Sequence, residues 1–252
     1  MYELRRLSCL LFVALCLSTR LSAQPVSWVP LEMPSEPARL NTVAFGADGL
    51  TVLGSGRDGL FVRTDDEAPW ARTDDFLLNA LSAEFLTVLP GGTLFATLFD
   101  GIEWHYAVRS TDRGQTWSWS QSPTIVDILV EPDSTLLALD GYGSWLRSSD
   151  DGATWVWEED WQVEGAHTLL RTSGGTLLVG RYGGSVLRSE DGRAIWQRIT
   201  LFPAPSNGDP VHRLAQAGDG ALLAGTRQHG LFRSDDDGET WTTAFPATSG
   251  VA

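Results

Sequence analysis

The chain alternates short apolar runs with polar, glycine-containing turns along most of its 252 residues. In the last repeat of this pattern, residues 211–217 end at Gly218-Asp-Gly220, a tight-turn signal. Residues 221–225, 231–233 and 239–243 follow as three more short runs separated by polar turns. The pattern predicts four short antiparallel strands, and the lack of a helical period argues against a helical repeat.

The second run recurs in every repeat and fixes the alignment of the repeats. It begins twelve residues before an arginine in four repeats and sixteen residues before it in the second repeat. The runs begin at Thr51, Thr93, Thr135, Thr176 and Ala221, and the arginines are Arg63, Arg109, Arg147, Arg188 and Arg233. Five repeats result, covering about 40–76, 82–122, 124–161, 166–201 and 210–246. A unit that recurs at this spacing is typical of repeat architectures.

Each of these arginines precedes a polar motif that ends in tryptophan. Four copies have eight residues, and we call them the octets. They are Ser110-Thr-Asp112-Arg-Gly114-Gln-Thr116-Trp117, Ser148-Ser-Asp150-Asp-Gly152-Ala-Thr154-Trp155, Ser189-Glu-Asp191-Gly-Arg-Ala-Ile-Trp196 and Ser234-Asp-Asp236-Asp-Gly238-Glu-Thr240-Trp241. The third octet has its glycine one place early, at Gly192. A degenerate copy, Thr64-Asp-Asp66-Glu-Ala-Pro-Trp70, follows Arg63 with seven residues in place of eight and has no glycine.

The octets resemble the Asp-box, Ser-x-Asp-x-Gly-x-Thr-Trp, of BNR-type β-propellers. Sialidases, xyloglucan-degrading glycosidases, sortilin-type receptors and photosystem assembly factors share this motif, so the resemblance implies a fold and leaves the activity open. It implies an all-β fold, a β-propeller of about five four-stranded antiparallel blades with Asp-box turns. Ser27–Leu31 has the pattern of a lone fourth strand. An incomplete sixth blade and a five-bladed ring therefore both remain open.

We expect the octet residues to be structural. Asp and Ser side chains bond to the backbone of the turn they begin, glycine supplies a left-handed conformation, and tryptophan can fill the gap between blades. The residues assigned this role are Asp66, Trp70, Ser110, Asp112, Gly114, Trp117, Ser148, Asp150, Gly152, Trp155, Ser189, Asp191, Trp196, Ser234, Asp236, Gly238 and Trp241.

The first 23 residues have the pattern of a secretory signal peptide. A basic start precedes an apolar run, Leu7–Leu17, that is too short to span a bilayer, and Ala23 ends the segment. The alternative is an uncleaved anchor. We therefore expect residues 1–23 to be removed and residues 24–252 to form a secreted, periplasmic or cell-surface propeller. Both cysteines, Cys9 and Cys16, lie in the removed segment.

The net charge of the chain limits the kinds of macromolecule that it can bind. The chain has a formal net charge of −14 and contains no lysine. Nucleic acid and anionic membranes repel such a protein, so we expect neither as a partner. After the first segment no run of 18 apolar residues occurs, which predicts no membrane span in the mature chain.

In a blade, the loop between strands two and three lies at the opposite end from the octet turn. These loops, with the strand ends beside them, repeatedly carry arginine, tyrosine, tryptophan and histidine, which are residue types suited to binding a ligand. The candidates are Arg57, Trp104, His105, Tyr106, Tyr142, Arg181, Tyr182, Arg227 and His229. The alternative is that such side chains only solvate glycine-rich loops. The second repeat carries four extra residues around Asp100–Tyr106, which predict either a binding loop or a strand extension.

The sequence favours binding over catalysis. Sialidases of this group carry an arginine in a Phe-Arg-Ile-Pro-like motif, and this chain has no such motif. The nearest string, Val211-His-Arg213-Leu214, lacks the Phe and the Pro. Scattered histidines and the absence of cysteine after residue 23 predict no metal site, and no cofactor motif occurs. We therefore expect an exported, non-catalytic module whose ligand is a protein or a carbohydrate. The alternatives are a degenerate or fragmentary glycoside-hydrolase-like propeller and, less well matched by the charge, an assembly factor.

The first testable prediction concerns export. Mass spectrometry of the exported protein should find an N-terminus at or near Gln24, because the three regions of a cleavable signal stand in order before it. A mature protein that begins at Met1 would contradict this prediction.

Overall fold

The computed structural model describes residues 39–47, 49–56, 58–65, 67–73, 81–101, 105–120, 124–202 and 208–246. All regular elements in these ranges are β-strands. No helix in the described part of the chain is long and apolar enough to cross a membrane. The chain divides into two compact units, and we describe each of them separately.

The N-terminal unit, Trp28–Gln162, contains three four-stranded sheets. The first sheet consists of β1 (Leu40–Phe45), β2 (Thr51–Ser55), β3 (Leu60–Arg63) and β4 (Ala71–Arg72). The second consists of β5 (Ser82–Val88), β6 (Leu94–Phe99), β7 (His105–Ser110) and β8 (Ser118–Trp119). The third consists of β9 (Ile125–Val130), β10 (Leu136–Asp140), β11 (Ser144–Ser148) and β12 (Val156–Gln162).

The C-terminal unit, which includes Val163–Ala252, contains two sheets of the same kind. The fourth sheet consists of β13 (Ala166–Arg171), β14 (Leu177–Arg181), β15 (Ser185–Ser189) and β16 (Gln197–Thr200). The fifth consists of β17 (Val211–Gln216), β18 (Leu222–Thr226), β19 (Leu231–Ser234) and β20 (Thr242–Phe245).

Every sheet is an antiparallel meander, in which each strand pairs with the next one along the chain. Within a unit the first strand of one sheet lies against the first strand of the next, as β1 does against β5 and β13 against β17. The second strands are the most buried, and every residue of β2 and β10 is buried. The predicted fold class, an all-β protein of five four-stranded propeller blades, is confirmed. The strand proposed at Ser27–Leu31 lies outside the described residues.

In the octets, serine and aspartate bond to the turn that they begin. The Ser148 hydroxyl accepts the backbone N–H of Gly152 (3.0 Å) and donates to Asp150 (2.8 Å). Asp150 in turn accepts the backbone N–H and the hydroxyl of Thr154, at 2.9 and 2.6 Å. These bonds, first of all the one from the Thr154 hydroxyl, lower the pKa of Asp150 to about 2. The serine and aspartate side chains of the octet are therefore already hydrogen-bonded within their own turn.

The same pattern of hydrogen bonds holds in two other octets. Ser110 and Ser234 each accept the N–H of the octet glycine, at 2.8 and 2.9 Å. The pKa values of Asp112 and Asp236 are likewise lowered to about 2, with the hydrogen bond from the octet threonine hydroxyl as the largest cause.

Each regular octet also reaches the preceding sheet of its own unit. Gly152 has a φ of +79°, and a Cβ there would lie 3.3 Å from the ring of Phe95. The adjacent Trp155 is half-buried and meets Phe95 edge-on, with ring centroids 5.8 Å apart. Glycine is thus required both by its backbone conformation and by the close approach of the neighbouring sheet.

The residue between the octet aspartate and glycine forms a polar contact with that preceding sheet. Asp151 accepts a hydrogen bond from Thr93 and lies 3.9 Å from the guanidinium of Arg109. In the C-terminal unit the Arg188 Nε donates to the Asp237 carbonyl at 2.8 Å. The arginines that define the repeat, Arg109 and Arg188, therefore connect one sheet to the octet of the next.

The octet with the displaced glycine is strained. Gly192 takes the position equivalent to Asp151, and Arg193 takes the position of the usual glycine. Arg193 donates its backbone N–H to Ser189 at 3.0 Å, as the glycine does elsewhere. Its φ is +91°, a conformation that a residue with a Cβ adopts at a cost.

The degenerate first copy forms a different turn. Asp65 accepts the backbone N–H groups of Glu67 and Ala68, at 3.0 and 2.7 Å. Trp70 lies under the guanidinium of Arg63, 5.2 Å from its ring centre. Asp66, to which the sequence assigned the structural role, lies outside the described residues.

The strain at Arg193 gives the second prediction. Arg193→Gly should stabilise the protein by about 1 kcal/mol, because glycine adopts the positive φ without a steric penalty. Thermal unfolding should show a rise of about 2–4 °C. The matched control is Gly152→Ala, which should lower the melting temperature. A lower melting temperature for Arg193→Gly would contradict this account.

Candidate ligand-binding loops

The first strand of every sheet has an irregularity near its start. The register shifts by one residue there, so one extra residue leaves the regular ladder. The extra residues are Asn41, Glu84, Val126, His167 and His212. Each lies beside the loop that joins the second and third strands of the same sheet. We call these strand starts and loops the loop end of each sheet.

In the C-terminal unit two of these extra residues meet. The His167 Nε2 and the His212 Nδ1 are 3.0 Å apart, and the two rings are nearly perpendicular. The His167 ring also meets Tyr182 edge-on, with centroids 5.3 Å apart. In a neutral pair one ring nitrogen donates and the other accepts, so this contact favours uncharged imidazoles.

The environment of the pair lowers both pKa values. Burial lowers the pKa of His167 to about 4, and the neighbouring His212 and Arg213 contribute to the shift. Burial also lowers the pKa of His212, where Arg227 and Arg213 act in the same direction and Asp209 opposes them. Both rings are therefore neutral at pH 7.

A second histidine contact lies in the fifth sheet. The Asp209 side chain is fully buried and accepts the His229 Nδ1 at 2.8 Å. It also accepts the backbone N–H groups of Arg227 and Gln228, at 3.1 and 3.0 Å. Burial alone would raise the pKa of Asp209, but these hydrogen bonds outweigh it and lower the pKa. Since an ionised carboxylate only accepts, it holds the His229 proton on Nδ1.

Stacking positions the His229 ring. Phe202 lies parallel to it, with centroids 3.8 Å apart and an interplanar angle of 6°. Gly184 is required at this point, because a Cβ there would lie 2.1 Å from the Phe202 ring. The imidazole is thus held by one stacking contact and one charged hydrogen bond.

The two predicted arginines of this unit differ in their contacts. The Arg181 Nε donates to the carbonyl of Glu164 at 2.7 Å, and burial lowers its pKa. Arg227 is exposed, and its backbone is held by Asp209. Tyr182 is also exposed and accessible to a ligand.

The N-terminal unit has its own loop-end residues. Tyr142 is 81% exposed at the tip of the loop in the third sheet. Its backbone N–H donates to the buried Asp140 at 2.9 Å, and the N–H of Ser144 does so at 2.7 Å. Burial raises the pKa of Asp140 in spite of these bonds. Asp140 therefore shapes the loop that presents Tyr142.

The extra residues of the second sheet extend a hairpin. His105 pairs with Phe99 and Tyr106 pairs with Leu98, which is the strand-extension alternative for these two positions. Tyr106 is half-buried and packs against Trp119, with centroids 5.4 Å apart.

The predicted candidates thus separate into several groups. Tyr182 lies against the histidine pair, while Arg227 and His229 share the buried Asp209. Tyr142 and Tyr106 belong to the other unit. Arg57 and Trp104 lie outside the described residues, as does the His105 side chain.

Sequence reasoning missed His167 and His212 because it treated the histidines as scattered. Each lies nine residues before the start of its second-strand motif, at Thr176 and Ala221, so the repeat alignment could have shown their equivalence. Among the described residues no group of three His, Cys, Asp or Glu side chains could hold a metal ion.

Comparison with known proteins shows the fold. No family model and no curated protein matches the chain. A structure of YCF48 bound to D1 peptide has a TM-score of 0.55 at 19% identity, covering 85% of this chain and 69% of that chain. A catalytically inactive virginiamycin B lyase from Staphylococcus aureus with quinupristin has a TM-score of 0.63 at 14% identity, covering 86% and 74%. At these identities the likeness shows a β-propeller fold alone.

The histidine pair gives the third prediction. Nuclear magnetic resonance should show the His167 ring titrating near pH 4. His212→Asn should raise the pKa of His167, because His212 opposes the protonation of His167, but burial should keep that pKa below its ordinary value. The control His229→Asn should leave the His167 titration unchanged. A wild-type His167 with an ordinary pKa would contradict the geometry of the pair.

Proposed function

We propose that this protein is an exported, non-catalytic β-propeller that binds a segment of another protein through its loop end. The observation that carries the proposal is the exposure of Tyr182 and Arg227 at the loop end of the C-terminal unit, where the Tyr182 backbone N–H bonds to the Gly165 carbonyl and the Arg227 backbone N–H bonds to the buried Asp209. Tyrosine and arginine on a pre-organised surface are the residue types in which binding energy concentrates.

The opposite end of the sheets supports this choice by contrast. There the octet serines and aspartates bond to their own turns, and Arg188 pairs with Glu190 at 2.6 Å. Groups that are already paired offer less to a ligand, because binding would first have to break those contacts.

A peptide ligand is favoured over a hydrolytic role. The buried carboxylates at the loop end, Asp140 and Asp209, already accept backbone N–H groups. A glycosidase needs two carboxyl groups that are available to the substrate as acid and base or nucleophile. A peptide-bound propeller of the same fold is known in YCF48. Export rests on the signal-like pattern of residues 1–23 and on the acidic composition.

The fourth prediction tests the binding surface. The purified protein should bind members of an array of extracellular protein segments, and a parallel glycan array tests the carbohydrate alternative. Tyr182→Ala with Arg227→Ala should weaken the hit by about tenfold or more, as expected for residues at a binding centre. The melting temperature should change little, since these side chains are exposed.

The control is Glu239→Gln, a substitution at an exposed octet position. It should leave the hit unchanged. Binding that survives the loop-end substitutions but is lost in this variant would place the ligand at the octet turns and overturn the proposal. Binding to glycans alone would replace the peptide with a carbohydrate.

A further inference from the structure

The loop end of the C-terminal unit is basic although the chain is strongly acidic. The formal net charge of the whole chain is −14. His167 and His212 are in contact there, and the charges of Arg213 and Arg227 act on His212. A pair of imidazoles in contact thus lies within the electrostatic reach of two guanidinium groups, and Asp209 partly opposes them.

Arg227 differs from other arginines in the same unit. Arg188 lies 2.6 Å from Glu190, and Arg233 lies 2.6 Å from Asp235. Within the part of the chain that the structure describes, the Arg227 guanidinium has no hydrogen bond or ion pair. An exposed guanidinium presents a planar set of N–H donors that fits a carboxylate or a phosphate.

The nearby carboxylate does not neutralise this group. Asp209 is buried, and it already accepts His229 Nδ1 and the backbone N–H groups of Arg227 and Gln228. The Asp209 charge still acts on His212, but its oxygens are occupied inside the loop, so the Arg227 side chain remains available on the outside.

We propose that this loop end binds an anionic group of the ligand, a carboxylate or a phosphate, with His167, His212 and Arg227 as its hydrogen-bond donors. The inference rests on the proposed function and gives the chemistry of its ligand. The anionic group belongs to a protein segment, either as an acidic side chain or as a phosphorylated residue.

Binding of an anion should be coupled to proton uptake. Burial and the neighbouring basic groups keep both imidazoles neutral in the free protein. An anion stabilises the imidazolium form and raises the pKa. Tyr182 contacts the pair, and the charges of Asp209, Arg213 and Arg227 act on it. Arg181, Glu164 and His229 are the other charged and titratable groups of this loop end. Affinity should therefore rise as the pH falls toward the pKa values of the two rings, by up to about tenfold per pH unit for each proton taken up.

Sulfate is a suitable probe because it keeps its charge over this pH range. In the wild-type protein, sulfate should raise the pKa values of His167 and His212 by about one unit or more, as measured by nuclear magnetic resonance. This measurement needs no variant and so does not depend on the folding of one. Unchanged pKa values at saturating sulfate would overturn the proposal.

Arginine substitutions then distinguish sulfate binding at a specific site from general attraction to the charge of the protein. Arg227→Gln should weaken sulfate binding by about fivefold or more, which is the range of one charge-assisted hydrogen bond. The matched control is Arg233→Gln, which removes an arginine beside the octet of the same unit. An equal loss in both variants would mean that sulfate responds only to net charge, and the proposal would fail.

Peptides identify the source of the anion and separate this inference from the proposed function. A glutamate peptide, a phosphoserine peptide and a matched glutamine peptide are compared. Tighter binding of either charged peptide supports the site and names its source, whereas preference for the glutamine peptide overturns it. If no protein segment binds but sulfate still shifts the histidines, the proposed function fails and the anion site stands.

Discussion

The hydrogen bonds of the octet turn are the interaction on which the rest of this fold depends. A serine hydroxyl and an aspartate carboxylate hold the turn in a conformation that needs two successive residues at positive φ, such as Asp151 and Gly152. Because the turn is held from within, Asp151 can reach Thr93 and Arg109 of the preceding sheet. One local motif thus determines both a strand connection and the contact between neighbouring sheets.

The polar side chains have different roles at the two ends of each sheet. At the octet end the carboxylates are ionised by local hydrogen bonds and stay occupied by their own backbone. At the loop end the buried carboxylates Asp140 and Asp209 hold loops in place, and the loops present tyrosine, arginine and histidine. A rigid loop loses less conformational entropy when a ligand binds, which favours recognition at this end.

Local burial and charge give the C-terminal loop end its chemistry. An isolated histidine changes charge near pH 6.5, whereas His167 remains neutral down to about pH 4 because it is buried beside other basic groups. A neutral imidazole pair can take up a proton, and this property is the basis of the anion site that we propose. The distant structural relatives share the fold with this chain, and their ligands do not define its chemistry.

The sequence by itself determined the blades. Strand alternation, glycine turns and the octets are local patterns, so the twenty strands and the role of the octet serines follow from residues close to one another in the chain. The displaced Gly192 was visible in the same way, although the positive φ that the turn imposes on Arg193 was not.

Only the tertiary structure decided which loop-end residues meet. His167 and His212 are 45 residues apart in the chain, and they touch because a one-residue bulge turns each of them out of two adjacent first strands. The burial that lowers their pKa values, and the Asp209 carboxylate that holds His229, likewise depend on the packing of two sheets. Spacing along the chain could show that the two histidines occupy equivalent positions, but bulges and interstrand packing decide that they touch.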